Sequence, residues 1–306
     1  MTETTEQAVP AGMADFRDSY PDPQMSRDED ARIARQLQEL ASERDLAGLL
    51  EDHWRLVGKK PELAARFTAQ ELTAEQRCEP VVAAIEAARG RPIGTGDRVL
   101  EVGCGTAALS AALAVRGAEV VGSDVSLRWL VLAQKRLADA HVELVACAAE
   151  SLPFPDGNFD VVAASDVIEH VEDPARFVGE AARVLRAGGL AFLATPNRYS
   201  LGLEPHVRLW GVGYLPRGLA ERYVRTARKT SYSHVRLLSA RTLERLLLEH
   251  GLEPEVVIPA VPDESTYSGV ELKLVRTYNR VRTQRAARPL LHAVGPFFHV
   301  FGRKPA

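Results

Sequence analysis

Short apolar runs alternate along the chain with longer segments in which apolar residues recur at helical spacing. Five of these runs have the length and composition of buried strands: residues 97–102, 118–123, 142–147, 159–164 and 189–195. Two later runs, residues 254–260 and 297–302, have the same character. Strands that alternate with helices predict an α/β fold in which a parallel sheet carries helices on both faces.

Two of the helices have recognisable ends. For a helix over residues 174–186, Asp173 is a candidate N-cap and Gly188 follows the C-terminal end. A second helix is predicted over residues 239–250, with Ser239 as its candidate cap. These signals separate helices from strands without any tertiary information.

The first 90 residues have a different character. Residues 1–30 contain several prolines and glycines and few large apolar side chains, so they are predicted to form a disordered leader. Residues 31–90 show helical periodicity, with Ile33, Leu37 and Leu40 on one face, and predict a helical segment.

The run at 97–102 ends at a glycine-rich turn, and the next run is followed by Asp124. Gly103 and Gly105 allow backbone to approach a ligand where a Cβ would clash. Asp124, at a strand end, can accept hydrogen bonds from two ribose hydroxyls. Together these residues predict a nucleotide-binding βαβ unit.

Two cofactors compete for this unit. Gly103, Gly105 and Ala108 satisfy the dinucleotide pattern G-x-G-x-x-G/A, which leaves an NAD-dependent oxidoreductase open. Glu101, two residues before the first glycine, favours a different ligand. A carboxylate there repels a pyrophosphate but suits a ligand that carries a sulfonium and an ammonium group.

At these residues the chain resembles the class I S-adenosylmethionine-dependent methyltransferases, whose first motif reads E-x-G-x-G-x-G. Ala107 replaces the last glycine of that motif. The similarity continues through four further motifs, at residues 150–162, 169–174, 183–189 and 194–197. It covers about residues 97–198 and is typical of the branch with ubiquinone-pathway O-methyltransferases and sugar or polyketide tailoring enzymes.

The resemblance implies a Rossmann-like fold with a mostly parallel seven-stranded sheet, a last strand that is antiparallel, and helices on both faces. The methyltransferase domain would span residues 91–306, with insertions at 199–236 and 270–292. The N-terminal helices would either cover the cofactor and substrate or pack against the edge of the sheet. The arginine-rich insertion at 270–292 is predicted to be a solvated helix, rather than a lipid-binding one.

The resemblance also implies which residues bind S-adenosylmethionine. The predicted cofactor-binding residues are Glu101, Gly103, Cys104, Gly105, Asp124, Val125, Ala149, Glu150 and Ser165. Relatives usually carry an aspartate for the adenine amino group at the position of Ala148, so adenine must be held by its neighbours. Cys104 is interpreted as a small packed side chain and not as a nucleophile.

The insertion at 199–236 follows the fifth predicted strand, and ligands of open α/β sheets bind beyond the carboxyl ends of strands. Its aromatic residues therefore predict the acceptor site. The candidate substrate-binding residues are Trp210, Tyr214, Tyr232 and His234.

Methyl transfer from a sulfonium depends largely on positioning, and a base is needed only when the acceptor must lose a proton. His170 is the first candidate base, because it follows the fourth strand, although this histidine often has a structural role in similar enzymes. His206 is its rival from the insertion, and Asp166 could contact either the cofactor or the acceptor.

Composition sets limits on partners and location. A formal net charge of -3 does not favour binding to nucleic acid, and no apolar run is long enough for stable membrane insertion. The three cysteines, Cys78, Cys104 and Cys147, have neither metal-binding nor disulfide spacing, so no metal is expected. With no visible secretory signal, these features predict a cytoplasmic protein.

The predicted function is O-methylation of a hydroxyl on a small metabolite, such as a sugar, phenol or polyketide, with S-adenosylmethionine as the donor. N- or C-methylation of a small molecule is the alternative within the class. A non-catalytic cofactor-binding module and the NAD-dependent oxidoreductase are the alternatives outside it.

Overall fold

The structure, a computed structural model, describes residues 13–15, 25–261 and 269–306. Its described residues divide into two compact units. The first extends to Ala164 and includes Arg183–Leu190, while the second comprises Ser165–Ala182 and Ala191–Ala306.

The strands of the first unit are parallel, in the order β1-β4-β3-β2-β5. They are β1 (Ala14–Asp15), β2 (Arg98–Val102), β3 (Glu119–Asp124), β4 (Val142–Ala146) and β5 (Phe159–Ser165), whose last residue belongs to the second unit. In the register, Val102 lies opposite Ser123 and Asp124 lies opposite Ala146. The carboxyl ends of these strands therefore lie along one edge.

Six helices complete the part of the first unit that the structure describes. They are α1 (Arg27–Leu40), α2 (Leu46–Leu56), α3 (Pro61–Leu72), α4 (Ala74–Arg89), α5 (Ala108–Ala114) and α6 (Leu127–Arg136). Ile33 and Leu37 of α1 and Leu50 of α2 are fully buried in one cluster with Leu130 of α6. Helix α4 packs against α5. The N-terminal helices are thus part of the hydrophobic core of this unit.

A buried acid connects helix α1 to α6. Asp30 accepts hydrogen bonds from the Ser126 hydroxyl at 2.7 Å and from the Leu127 backbone N–H at 2.8 Å. It also pairs with the Arg128 guanidinium at 2.8 Å. Asp30 thereby supplies the N-terminal cap of a helix from a different part of the chain, and its charge is compensated.

The second unit carries strands in the order β6-β8-β7. Its elements are α7 (Pro174–Val184), β6 (Leu185–Pro196), α8 (Arg217–Arg228), α9 (Ala240–Glu249), β7 (Glu253–Val257), α10 (Gly269–Val281), α11 (Arg288–Val294) and β8 (Phe297–Arg303). The end of α7 and the start of β6 belong to the first unit. Strands β7 and β8 are antiparallel, with Val256 opposite Val300.

The mostly parallel α/β architecture predicted from the sequence is confirmed, including the antiparallel last strand. The additional strand is the two-residue β1, which pairs with β4. Among the described residues, no helix combines the length and apolar content needed to cross a membrane.

Three details differ from the predictions. Within the predicted leader, most of which lies outside the described residues, Ala14–Asp15 form a strand and α1 begins at Arg27. Helix α3 lies within the segment predicted to be helical, but no buried face was predicted for it, because Thr68 is its only buried residue and it lacks an apolar stripe. Helix α7 ends at Val184, and Gly188 lies within β6 rather than after a helix.

Candidate active site

The glycine-rich turn between β2 and α5 adopts the left-handed backbone conformation at three residues. The φ angles are 67° at Gly103, 53° at Gly105 and 58° at Ala107. Ala107, which replaces the motif's last glycine, therefore keeps the glycine-like conformation, although its Cβ makes that conformation unfavourable. A Cβ placed on Gly105 would meet no atom within 4 Å, so the space beside this turn is open.

Glu101, at the end of β2, faces the start of α5. Its Oε2 accepts hydrogen bonds from the Ser110 backbone N–H at 2.8 Å and from the Ser110 hydroxyl at 2.5 Å. Its Oε1 has no hydrogen-bond partner among the described residues. Burial raises the pKa of Glu101 to about 7, against the opposing effect of the Ser110 hydrogen bonds. A cationic group beside Oε1 would favour the ionised form.

Asp124, at the end of β3, holds the turn from the other side. One carboxylate oxygen accepts a hydrogen bond from the Gly105 backbone N–H and the other from the Ser126 backbone N–H, both at 2.9 Å. The arrangement fits a ribose, because it fixes the carboxylate before a ligand arrives.

The other predicted cofactor residues of the first unit lie close to these two acids in the sequence or sheet. Cys104 is buried, and burial raises the pKa of its thiol well above the usual range, as expected for a packed side chain. Val125 is half-buried, while Ala149 and Glu150 are buried. Ala148 is 2% exposed and offers no polar side-chain group for adenine.

In the second unit, β5 ends at Ser165 and is followed by the acidic side chains of Asp166 and Glu169. Ser165 is half-buried. Asp166 is exposed, has a φ of 55° and donates its backbone N–H to the Ala194 carbonyl at 2.9 Å. Glu169 is fully buried, and its Oε2 accepts a hydrogen bond from the Thr195 hydroxyl at 3.0 Å. Burial raises the pKa of Glu169 to about 7.

The structure brings together the two histidines that were predicted as rival bases. The Nε2 atoms of His170 and His206 are 3.2 Å apart. The Nδ1 atom of His206 lies 2.5 Å from Oε1 of Glu204, a buried residue. We refer to Glu169, His170, Glu204 and His206 as the Glu–His cluster.

The two histidines differ in their electrostatic surroundings. Burial, together with the neighbouring His206 and His234, lowers the pKa of His170 to about 4. Burial alone would also lower the pKa of His206, but the hydrogen bond and charge of Glu204 outweigh it and raise that pKa. His170 is therefore neutral at pH 7, whereas Glu204 supports a positive charge on His206.

The predicted acceptor residues fall into three groups. Trp210 is 61% exposed and stacks on Tyr214 with ring centroids 6.3 Å apart. The His234 ring lies 6.0 Å from that of His170, nearly parallel to it. Tyr232, by contrast, is buried in an apolar cluster with Val224 and its neighbours.

Sequence reasoning missed Thr195, Glu169 and Glu204 as members of this site. Glu169 was visible only as the acid beside His170 in a motif, and Glu204 only as an acid two residues before His206. Neither spacing indicates that the two segments meet.

Comparison with known proteins agrees with the class of cofactor that the glycine-rich turn and its two acids, Glu101 and Asp124, indicate. A family model described as a methyltransferase domain matches residues 100–193. The ubiquinone biosynthesis O-methyltransferase of Dechloromonas aromatica is 33% identical over 169 residues, which cover 53% of this chain and 67% of that protein. The enzyme of the same name from Thiobacillus denitrificans is 33% identical over 171 residues, covering 52% and 66%.

Solved structures share the fold. An S-adenosylmethionine-dependent methyltransferase from Mesorhizobium loti has a TM-score of 0.52 at 22% identity, covering 74% of this chain and 97% of its own. Phosphoethanolamine N-methyltransferase 2 of Haemonchus contortus, solved with S-adenosyl-L-methionine, has a TM-score of 0.50 at 20% identity, covering 74% and 53%.

The chain therefore belongs to the class I S-adenosylmethionine-dependent methyltransferases, and S-adenosylmethionine is the cofactor of this enzyme. Within that class, the matched curated relatives named above are ubiquinone biosynthesis O-methyltransferases. This chain spans about two thirds of the length of those two relatives, and about half of two others.

Proposed function

We propose that this chain transfers a methyl group from S-adenosylmethionine to a hydroxyl oxygen of a small molecule, such as a phenol, a sugar or a polyketide, in a biosynthetic reaction. The names of its curated relatives support O-methylation. The observation that carries the proposal is the pair of Nε2 atoms at 3.2 Å, with Glu204 behind His206. A hydroxyl acceptor must lose a proton, and this arrangement can accept one.

The first unit would hold the cofactor. When bound, S-adenosylmethionine supplies an activated methyl group on a sulfonium. Gly105 leaves open space beside the turn, and Oε1 of Glu101 offers a negative charge to a cationic group. Asp124, at the end of β3, would accept hydrogen bonds from ribose hydroxyls. Ala149 and Glu150 would hold adenine in place of the aspartate that Ala148 replaces.

In the second unit, Glu204 would act on the acceptor through His206. By accepting a hydrogen bond from Nδ1–H, the Glu204 carboxylate fixes the tautomer in which Nε2 carries a lone pair. Nε2 could then take the proton of the acceptor hydroxyl, and Glu204 would stabilise the imidazolium that forms. His170, with its lowered pKa, would remain neutral and orient the pair. Asp166 would make a polar contact to the acceptor.

We place the enzyme in the cytoplasm, acting on a small molecule and not on nucleic acid. The net charge of -3 and three described cysteines that form no disulfide support this proposal. The exposed pair Trp210 and Tyr214 would contact an aromatic or apolar part of the acceptor.

The experiment is a comparison of matched acceptors with the full chain and S-adenosylmethionine, with methylated products identified by mass spectrometry. A catechol, its monoamine analogue and a simple sugar form the first panel. Methylation of oxygen, lost in His206→Ala while S-adenosylhomocysteine binding is retained, is the expected result. Exclusive methylation of nitrogen or carbon would replace the proposal with the alternative inside the class.

A further inference from the structure

The Glu–His cluster has the composition and the spacing of a metal site. One oxygen of Glu169 and one ring nitrogen each of His170 and His206 all lie within 4.8 Å of one another. The two Nε2 atoms are 3.2 Å apart, which is compatible with two nitrogens that share one small cation. With bonds of about 2.0–2.1 Å, ligand nitrogens of one Zn²⁺ lie about this far apart.

Two of the three side chains are held from behind by other polar groups. The Thr195 hydroxyl donates to Oε2 of Glu169, and Glu204 accepts the hydrogen bond from Nδ1 of His206. Metal-binding histidines commonly donate their second ring nitrogen to a carboxylate, which fixes the ring and makes the other nitrogen a better ligand. These contacts use Oε2 of Glu169 and Nδ1 of His206, so Oε1 of Glu169 and the two facing Nε2 atoms can serve as ligands.

Glu169 gives independent support. It is 0% exposed, and its Oε1 is a buried oxygen without a hydrogen-bond partner among the described residues. Buried polar atoms of this kind are rare and costly, and one accepted explanation is that they bind an ion. His206 is already paired with Glu204, so the two imidazoles do not compensate the buried Glu169 carboxylate, whereas a divalent cation would.

We propose that Glu169, His170 and His206 bind a divalent transition-metal cation of the Zn²⁺ class. Two imidazoles with a single carboxylate suit Zn²⁺ and similar ions, while Mg²⁺ prefers a set of oxygen ligands. No metal is expected from the sequence, because the three cysteines lack metal-binding spacing. The histidines are 36 residues apart, which matches none of the short metal-binding spacings.

For methyl transfer the consequence rests on the proposed function. Three protein ligands leave a coordination position open, and an acceptor hydroxyl could occupy it. The cation would lower the pKa of that hydroxyl, so that its proton leaves to water or to a nearby base. With the metal bound, His206 serves as a ligand, and in the metal-free protein it remains the proton acceptor.

The test is a metal titration of the full chain, without cofactor or acceptor. The protein is stripped with a chelator, and Zn²⁺ is added in competition with a chromophoric chelator. One equivalent is expected to bind. His206→Gln should weaken Zn²⁺ binding by more than about tenfold, and Glu204→Ala, which removes only the support behind His206, by about 10- to 100-fold. Co²⁺ should give visible absorption bands that His206→Gln abolishes.

The matched control is His141→Gln, which removes an exposed histidine of the first unit and should leave Zn²⁺ binding unchanged. Because His206 lies at the surface, its variant is expected to fold, and S-adenosylhomocysteine binding verifies this. The proposal is overturned if the wild type binds no equivalent of Zn²⁺, or if His206→Gln binds it as tightly. If Zn²⁺ binds but no acceptor is methylated, the proposed function fails while the metal site stands.

Discussion

The backbone N–H of Gly105 donates a hydrogen bond of 2.9 Å to the carboxylate of Asp124, 19 residues further along the chain. This contact ties the glycine-rich turn after β2 to the end of β3. It positions the acid on which ribose recognition is proposed to depend, and it makes the geometry of the turn sensitive to that acid.

Replacement of Asp124 tests this relationship. Asp124→Ala removes charge-assisted hydrogen bonds of about 1.5–3 kcal/mol each and should weaken S-adenosylhomocysteine binding about ten- to a hundredfold or more. Isothermal titration calorimetry gives the affinity. Asp45→Ala is the matched control, because Asp45 caps α2 with a similar hydrogen bond to Gly48, at 2.8 Å. It should lower stability by about 1 kcal/mol and leave the affinity intact. Equal affinities in all three proteins would remove Asp124 from the site.

Glu101 predicts a pH dependence of cofactor binding. With its pKa raised to about 7, the carboxyl group is largely protonated at pH 6. Binding of a cationic ligand must then release a proton, so affinity for S-adenosylmethionine should rise between pH 6 and pH 7.5, by at most about tenfold per unit. Glu101→Gln should remove that part of the dependence. The ligand's own titration affects both proteins, so their difference isolates Glu101, and identical profiles would contradict the prediction.

Because Ala107 has a left-handed backbone conformation, we expect that replacing it with glycine does not lower the free energy of unfolding. Ala107→Gly should leave the free energy of unfolding unchanged or higher, because glycine adopts this conformation without the cost of a Cβ. Ala111→Gly, at a similarly buried position inside α5, should lower it by about 0.5–1 kcal/mol. Ala107→Val should be the least stable of the three. Urea unfolding measures the series, and a larger loss at Ala107→Gly than at Ala111→Gly would show that the conformation is wrong.

Substitutions in the Glu–His cluster are expected to lower turnover without weakening cofactor binding. His206→Ala should lower kcat by about a hundred- to ten-thousandfold, and Glu204→Gln by less, because a glutamine oxygen can still accept from Nδ1–H. Affinity for S-adenosylhomocysteine should stay within a few fold. Turnover at the wild-type level in His206→Ala would exclude this histidine from the reaction, whether as a proton acceptor or as a ligand.

Trp210 predicts an effect on the acceptor alone. The ring is 61% exposed, so Trp210→Ala should not change thermal stability measurably. If the ring contacts the acceptor, the acceptor KM should rise while S-adenosylhomocysteine affinity is retained. Leu219→Ala, an exposed apolar residue on α8, is a suitable comparison. Loss of cofactor affinity with a normal acceptor KM would assign Trp210 a different role.

The sequence predicts best those features that short stretches determine. The strands from β2 to β5 and the helix capped by Ser239 lie within one or two residues of their predicted positions, because hydrophobic periodicity and capping are local. Helix α3 lacks an apolar stripe, and the two-residue β1 is too short for any period. Both depend on packing that no local pattern encodes.

The residues of the candidate site divide in the same way, into those that a local motif identifies and those that only the fold brings together. Glu101, Gly103 and Gly105 lie within five consecutive residues, so their motif identifies the turn from the sequence alone. The pairing of His170 with His206 depends on how the segment after β6 folds, over a separation of 36 residues. The role of Glu204 follows from that fold as well, since its second oxygen is fixed by the backbone N–H of Val207.

The capping of α6 by Asp30 gives the N-terminal helices a thermodynamic connection to the cofactor. Ser126 donates its hydroxyl to Asp30 and its backbone N–H to Asp124, so one residue contacts both acids. A change that stabilises the contact of α1 with α6 should therefore also stabilise the orientation of Asp124 that suits a ribose. By linkage, ribose binding to Asp124 should stabilise the contact of α1 with α6. Occupancy of the ribose site should slow proteolytic cleavage between α1 and α2, although the cofactor need not touch either helix.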